Sequence, residues 1–169
     1  MSQLGLEAAR QKMLDAGVAT PAVDVFSHYY RLVESGETGL IREEDIEPLT
    51  DPPMLDDVEV SDNEAREAIG ATVIIKLNGG LGTSMGLDKA KNLLEVRDGL
   101  NFLDLIVQQV QAARRDWDAP LPLLFMNSFR TEADTLAHLS RYPDLPVDGL
   151  PLSFLQNQEP KLRADDLTP

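Results

Sequence analysis

The chain has 169 residues, of which 43% are hydrophobic, and a formal net charge of −14 at pH 7. This length and composition fit one domain, or one domain with a helical appendage, and exclude a disordered tail. The acidic charge argues against a nucleic-acid-binding or anionic-membrane-binding protein. The absence of cysteine excludes disulfides, thiolate metal sites and a cysteine nucleophile.

Two amphipathic helices are predicted at the N-terminus. The first covers residues 4–16 and ends at Gly17, and the second has its N-cap at Thr20 and ends at Gly36. The apolar residues expected on their buried faces are Leu4, Ala8, Met13 and Leu14 in the first helix and Val25, Tyr29, Leu32 and Val33 in the second.

An acidic stretch interrupted by prolines occupies residues 37–60, which is typical of a linker with at most a short helix at 42–47. Ser61 and Glu64 then form a capping-box pattern, which predicts a short helix ending near Gly70. Residues 1–70 are therefore predicted to be a helical, acidic lead-in.

Strands and helices alternate in residues 71–169. The β-branched run at 71–77 predicts a buried strand, and residues 120–127 and 152–156 predict two more. A short strand is expected at 92–96, turned by Asp98-Gly99. Because amphipathic helices separate the three main strands, the order predicts right-handed crossovers and an α/β domain with a mostly parallel sheet.

The helix between the first and second main strands is predicted to be capped by Asn101, and the next helix to open at Thr131. The residues expected to face inward from the first of these helices are Phe102, Leu105, Ile106, Val110 and Ala113.

A glycine-rich loop follows the first strand of this domain. From Lys76 to Gly86 it reads KLNGGLGTSMG. Glycines allow backbone N–H groups to converge on phosphate oxygens, and ligands of such sheets bind beyond the carboxyl ends of the strands. Lys91 is spaced to fold back onto a phosphate, with Lys76 and Lys89 adding positive charge near the loop.

Three other interpretations of the glycine-rich loop compete with phosphate binding. A P-loop requires Gly-Lys-Ser/Thr, which this loop lacks, and a dinucleotide-binding fingerprint requires a glycine where Met85 stands. The third is a tight turn in which the glycines serve packing alone.

Four segments in the same order resemble the UTP–glucose-1-phosphate uridylyltransferase family, whose members are also called UDP-glucose pyrophosphorylases. They are the loop KLNGGLGTSMG, residues 96–110 (VRDGLNFLDLIVQQV), residues 123–139 (LLFMNSFRTEADTLAHL), and Phe154 and Gln156 with Pro160. The resemblance implies a Rossmann-like, three-layer nucleotidyltransferase domain of which residues 71–169 are the N-terminal part.

The resemblance also implies which residues bind the nucleotide. Lys91 matches the lysine that reaches the phosphates and is the implied catalytic residue, and Gln156 matches the glutamine that recognises uracil. No metal ligand is implied within this chain. The loop positions that match family residues at UTP or closing over its phosphates are Leu77, Asn78, Gly79, Gly80, Gly82, Thr83 and Gly86.

The chain departs from the family pattern beside two of these residues. Where the family usually has Gly-Pro-Lys-Ser, this chain reads Lys-Ala-Lys-Asn over residues 89–92. Leu155 stands in place of the asparagine before the family glutamine, and Glu159 in place of a tyrosine. These differences concern the local geometry of the uracil pocket more than the class of reaction.

The implied reaction forms UDP-glucose and pyrophosphate from UTP and glucose 1-phosphate by in-line attack at the α-phosphorus, with Mg²⁺ as cofactor. The expected partners are these small molecules, with no nucleic acid and no membrane. Because family enzymes are longer and carry their metal carboxylate and sugar pocket further on, the chain alone is expected to be inactive. A non-catalytic nucleotide-binding fragment and a uridylyltransferase for another sugar 1-phosphate remain as alternatives.

Other polar residues are interpreted as structural. His28 and His138 are expected to be ordinary helix residues, and Asp88 an acid on the loop surface. Asn127 and Ser128 stay open between lining the site and capping a turn. The sequence contains no segment that could span a bilayer and no secretory signal, which predicts a cytoplasmic protein.

Overall fold

The computed structural model describes residues 2–83, 86 and 88–169. The chain divides into two compact units, Met1–Pro53 with Asn157–Pro169, and Met54–Gln156. These units do not begin or end at residue 70, the boundary expected from the sequence. That domain boundary stays a prediction. The helix Asp62–Gly70, which precedes residue 71, lies in the second unit, and its Ile69 packs against that unit's core.

The first unit is built on helices α1 (Ser2–Asp15) and α2 (Thr20–Glu34). Gly17 between them has a φ of +74°, a left-handed conformation that glycine adopts without strain. Leu162 and Leu167, from the C-terminal segment, pack on the same core. That core consists of Leu6, Ala9, Met13, Val18, Val23, Phe26 and Tyr30.

The predicted buried faces of α1 and α2 are wrong at most positions. Of the residues expected inside, Met13 is buried, but Leu4 is 74% exposed and Tyr29 is 61% exposed. Each helix carries two apolar stripes. The stripe that packs into the core is the one with Ala9 in α1 and the one with Phe26 in α2. The cap also differs, since Ala19 is the N-cap and Thr20 is the first helical residue.

Residues 37–60 contain little regular structure, as predicted. The short helix expected at 42–47 is one 3-10 turn, Glu43–Asp45, and a second turn covers Leu55–Asp57. Arg42 pairs with Glu44 at 2.5 Å and with Asp45 at 3.0 Å on the surface.

The second unit alternates helices and strands in the predicted order. Its elements are α3 (Asp62–Gly70), β1 (Ile74–Asn78), β2 (Glu95–Arg97), β3 (Leu100–Asn101), α4 (Phe102–Trp117), β4 (Leu123–Asn127), α5 (Glu132–Leu139) and β5 (Ser153–Leu155). Strands β1, β4 and β5 form a parallel sheet in that order, with Ile74 opposite Leu123 and Phe125 opposite Ser153. The α/β fold with a parallel sheet is confirmed.

Strands β2 and β3 form a separate antiparallel hairpin around the predicted Asp98-Gly99 turn. Both turn residues have positive φ, +54° and +74°, which matches the twist of a two-residue hairpin loop. A 3-10 turn, Lys91–Leu93, leads into this hairpin from the glycine-rich loop.

The core of the second unit lies between the sheet and helices α4 and α5. Its buried residues are Leu103, Val107, Val110, Leu121, Leu123, Phe125, Leu139 and Leu145. Two predictions are wrong here. Phe102 was expected inside but is 45% exposed, and β1 was expected to be buried on both sides although Leu77 is 65% exposed. β1 is an edge strand of the described sheet, with α4 packed against one face only.

Helices α4 and α5 are joined by a buried polar cluster. Asn101 and Asp104 form the capping box that begins α4, as predicted. The Asp104 carboxylate also accepts hydrogen bonds of 2.6 Å from Tyr142 and 2.6 Å from His138. His138, expected to be an ordinary helix residue, is thus part of an inter-helix contact. No helix in the described parts of the chain has the length and hydropathy needed to cross a membrane.

Candidate functional site

The candidate site lies at the carboxyl ends of the parallel strands. β1 ends at Asn78, β4 at Asn127, and β5 at Leu155, directly before Gln156. Parallel α/β sheets bind ligands at this edge, where loops follow the strands. The glycine-rich loop begins there, so the topology brings the loop and Gln156 to one side of the sheet.

The loop closes on the segment that returns from it. The Gly82 N–H donates to the Lys89 carbonyl at 3.0 Å, and the Lys91 N–H donates to the Gly80 carbonyl at 3.0 Å. Leu81 and Ala90 form an antiparallel bridge between these bonds. Lys91 therefore lies beside Gly80, at the place to which the sequence expected it to fold back, and its role in binding phosphate stays a prediction.

Gly79 and Gln156 lie in contact although Gly79 follows β1 and Gln156 follows β5. A β-carbon at position 79 would collide with the Gln156 side-chain oxygen Oε1. The Gln156 N–H donates to the Asn127 carbonyl at 2.8 Å, which continues the β4–β5 ladder by one residue. The Gln156 amide is thus held directly over the glycine main chain.

The side chain of Asn78 is buried and bonds to other side chains of the protein. It is 4% exposed. Its Nδ2 donates to Asn127 Oδ1 at 2.6 Å and to Thr135 Oγ1 at 2.8 Å, and its Oδ1 accepts from Asn92 at 2.7 Å. The side chain thus holds the strand ends together, and the expected contact of this position with UTP stays a prediction.

The remaining loop residues predicted for the site differ in placement. Leu77 lies on the exposed face of β1, opposite to the face that carries Asn78, and its expected contact with UTP stays a prediction. Gly82 is buried and Thr83 is exposed. Gly86 has a φ of +73° and donates to the Thr83 carbonyl at 3.2 Å. Ser84, Met85 and Leu87 lie outside the described residues.

Positive charge at the loop comes from Lys89 and Lys91, both exposed. Among the described residues neither lysine makes an ion pair within 4.0 Å, so both charges are open to an anion. Lys76, also expected near the loop, instead lines a groove of about 310 Å³ with Ile106 and Val110.

Sequence reasoning missed the polar residues beneath the loop. Thr131 Oγ1 donates to the Asn78 carbonyl at 2.7 Å, and it accepts from the Ser128 N–H at 3.0 Å. Asn127 is fully buried. Ser128 thus begins a turn closed by the Thr131 side chain, and the Asn127 side chain bonds to Asn78 and Ser153, while a role of either residue in lining the site stays a prediction. Single polar residues at strand ends carry no spacing pattern, so only the predicted convergence of the strands could have indicated them.

The described residues do not by themselves form a metal site. They contain no group of three or more His, Asp or Glu side chains placed to hold an ion. Asp88, beside the loop, is exposed. Magnesium sites that serve nucleotides draw ligands from the phosphates and from one or two carboxylates, so this donor set does not complete such a site.

Comparison with known proteins gives a consistent result. The sequence model of UTP–glucose-1-phosphate uridylyltransferase matches residues 23–169. The chain is 43% identical over 106 residues to the enzyme of that name from Solanum tuberosum, covering 63% of this chain and 22% of the relative. It is 44% identical over 96 residues to the one from Saccharomyces cerevisiae, covering 57% of this chain and 19% of the relative.

Solved structures resemble the chain over nearly its whole length. A mutant UDP-glucose pyrophosphorylase from Leishmania major in complex with UDP-glucose matches with a TM-score of 0.86 and 40% identity, covering 98% of this chain and 34% of that one. A UDP-glucose phosphorylase from Trypanosoma brucei matches with a TM-score of 0.82 and 36% identity, covering 98% and 35%. The chain thus spans about a fifth of the length of these curated relatives and about a third of these solved structures.

Proposed function

This chain belongs to the UTP–glucose-1-phosphate uridylyltransferase family, and on that basis we propose that it carries the UTP-binding part of an enzyme that forms UDP-glucose. The observation that carries the proposal is the placement of Gln156 over Gly79 at the same sheet edge where Lys91 lies beside Gly80. A group suited to reading a base and a group suited to phosphate therefore flank one glycine loop.

The base end of the site is assigned to Gln156. A side-chain amide offers both a donor and an acceptor, which complements the paired acceptor and donor on the edge of uracil. Because Gly79 has no β-carbon, the amide can lie close to the main chain, and the backbone leaves room for a planar base. Cytosine presents the opposite pattern, with an acceptor at position 3 and a donor at position 4, so the preference for uridine requires that the protein hold the Gln156 amide in one orientation.

The phosphate end is assigned to the loop N–H groups and Lys91. In the proposed reaction an oxygen of glucose 1-phosphate attacks the α-phosphorus of UTP, the bond to the bridging oxygen breaks, and pyrophosphate leaves with its electron pair. No covalent bond to the protein forms. The contribution of this chain is to hold the triphosphate in line and to offset negative charge as it moves onto the leaving group.

Magnesium is expected to bind together with the nucleotide. When bound with the nucleotide, a divalent ion would neutralise part of the triphosphate charge. The magnesium complex of UTP is therefore the proposed substrate form. The cytoplasm stays the expected compartment, and glucose 1-phosphate the expected second substrate.

The proposal is tested by titrating the 169-residue chain with UTP, CTP, ATP and uridine, with magnesium present, by calorimetry. We expect UTP to bind at least about tenfold more tightly than CTP or ATP, as a matched amide pair requires. Lys91→Ala should weaken UTP binding by about tenfold or more and leave uridine binding unchanged. Lys12→Ala, which removes an exposed lysine in the first unit, serves as the control.

Two results would contradict the assignment. Equal affinity for UTP, CTP and ATP would remove the role given to Gln156. An unchanged UTP affinity in Lys91→Ala, with the control also unchanged, would remove the role given to Lys91. In a longer protein that contains this chain, the same substitution should reduce pyrophosphate release from UTP and glucose 1-phosphate without unfolding the protein.

A further inference from the structure

A continuous chain of side-chain hydrogen bonds runs beneath the loop, and we call it the amide ladder. It consists of Asn92, Asn78, Asn127, Ser153 and Glu132. Asn92 donates to Asn78 at 2.7 Å, and Asn78 donates to Asn127 at 2.6 Å. Asn127 donates to Ser153 at 2.8 Å, and Ser153 donates to Glu132 at 2.7 Å.

All four bonds of the amide ladder point the same way, from Asn92 towards the Glu132 carboxylate. Such an arrangement allows each bond to polarise the next and ends on a charged acceptor. Asn78 and Asn127 are 4% and 0% exposed, so water cannot readily replace the middle bonds. Among the described residues, no buried side-chain polar atom lacks a partner. The amide ladder is therefore a stiff connection across three strands.

The two proposed nucleotide-binding side chains are attached to this ladder. Asn92 follows Lys91 in the chain, and the Lys91 N–H is bonded to Gly80 at 3.0 Å. At the other side, the Asn127 carbonyl accepts the Gln156 N–H at 2.8 Å. The amide ladder is thus bonded to the turn that carries Lys91 through the Asn92 side chain, and Gln156 is bonded to the main chain of Asn127, another member of the ladder.

We propose that Asn92 is a positioning residue for Lys91, acting through the amide ladder to set the place of the lysine relative to Gly80 and Gln156. The inference rests on the proposed function, because it gives Lys91 and Gln156 their roles. Asn92 ties the Lys91–Leu93 turn to the end of β1 by its side chain. Without this bond, the backbone bond from Lys91 to Gly80 would hold the turn with less support.

The first test uses the chain without any nucleotide. Amide hydrogen exchange at Lys91 reports the opening of its bond to Gly80. We expect Asn92→Ala to speed this exchange by about tenfold, the change that corresponds to one lost hydrogen bond. Asn63→Ala, which removes an exposed asparagine on α3, should leave exchange at Lys91 unchanged.

The second test separates positioning of Lys91 from general damage. Asn92→Ala should weaken UTP binding by about tenfold while uridine, which lacks phosphates, binds as before. In a Lys91→Ala background, Asn92→Ala should cause no further loss of UTP affinity, because the group it positions is already gone. Should Asn92→Ala fail to fold by circular dichroism, Asn92→Ser replaces it, since a serine hydroxyl lies one bond closer to the main chain and does not reach Asn78.

The outcomes distinguish the inference from the function on which it rests. Unchanged exchange at Lys91 and an unchanged ratio of uridine to UTP affinity would overturn the role of Asn92. An equal loss of uridine and UTP affinity would overturn it as well, because it indicates general damage to the site. Failure of the unaltered chain to prefer UTP would overturn the proposed function instead, and the exchange result would still decide whether Asn92 holds the Lys91 turn.

Discussion

The main chain at Gly79 approaches the end of the Gln156 side chain so closely that no β-carbon fits between them. The glycine is required here by a neighbour rather than by its own backbone angles, since Gly79 is not among the residues with positive φ. Its neighbour Gly80 is less restricted, because a β-carbon there would lie 3.8 Å from the Lys91 side chain, at ordinary contact distance.

Gly79→Ala should therefore act on the ligand more than on the fold. The atom displaced is the far end of a flexible side chain, so we expect Gln156 to move aside and uridine affinity to fall by about tenfold, with a loss of unfolding free energy of about 1 kcal/mol. Calorimetry and urea unfolding measure the two effects. Gly70→Ala is the control, because nothing lies within 4 Å of its β-carbon position. An unchanged uridine affinity would show that Gln156 does not read the base.

At the scale of elements, the contact between α4 and α5 depends on an ionised carboxylate. Burial alone would raise the pKa of Asp104, but hydrogen bonds from the Asn101 N–H, Tyr142 and His138 together lower it below its ordinary value of 3.8. Burial and the neighbouring Asp104 carboxylate raise the pKa of Tyr142 to about 12, so this hydroxyl remains a donor at neutral pH.

A lowered pKa in the folded state means that the unfolded chain takes up the proton first as the pH falls. The stabilisation from Asp104 is therefore present above pH 3.8 and is lost as the pH falls through the lower folded value. We expect Asp104→Asn to reduce the unfolding free energy at neutral pH by about 2 kcal/mol and to flatten its decline in acid. Urea unfolding across this range measures both. Asp116→Asn, at an exposed position of the same helix, should retain the full acid decline.

Elements were predictable from sequence where local chemistry determines them. The capping boxes at Ser61 and Asn101 and the Asp98-Gly99 turn are properties of neighbouring residues, and all three are confirmed. Burial depends on which elements meet, so the faces of α1, α2 and α4 could not be read from periodicity when each helix carries more than one apolar stripe. On α4, for example, Leu103 and Val107 face the core although the sequence did not indicate them.

The candidate site, too, was predictable from the sequence only in part. The resemblance to the family indicated Lys91 from the loop and Gln156 from the later segment with Phe154 and Pro160, and the structure places each beside a loop glycine. The amide ladder was not predictable, because Asn92 and Asn127 acquire their meaning only when strands far apart in sequence align.

At the scale of the whole molecule, the described sheet exposes an apolar surface on β1. Ile75 is 54% exposed and Leu77 is 65% exposed, and β1 pairs with β4 along one edge only. Exposed edge strands with apolar side chains are templates for pairing with another chain.

We therefore expect the 169-residue chain to self-associate as its concentration rises, in sedimentation velocity. Ile75→Lys places a charge on this edge strand and should weaken association by about tenfold or more. Val25→Lys is the matched control, since Val25 on α2 is also 54% exposed. A monomeric chain at all concentrations, or an equal effect of both substitutions, would show that β1 is not the associating surface.

The first unit is assembled from the two ends of the sequence, and this affects the order in which the chain can fold. The Tyr30 hydroxyl donates to the Leu167 carbonyl at 3.0 Å across a sequence separation of 137 residues, and Leu162 completes the same core. The α/β unit, in contrast, is complete once residue 156 has been made. During synthesis it can therefore fold first, once it has left the ribosome. At that stage the core around Val23 and Phe26 still lacks Leu162 and Leu167. A ribosome-bound chain that ends at residue 161, followed by an unstructured tail long enough to fill the exit tunnel, should thus carry a protease-resistant α/β unit and protease-sensitive N-terminal helices.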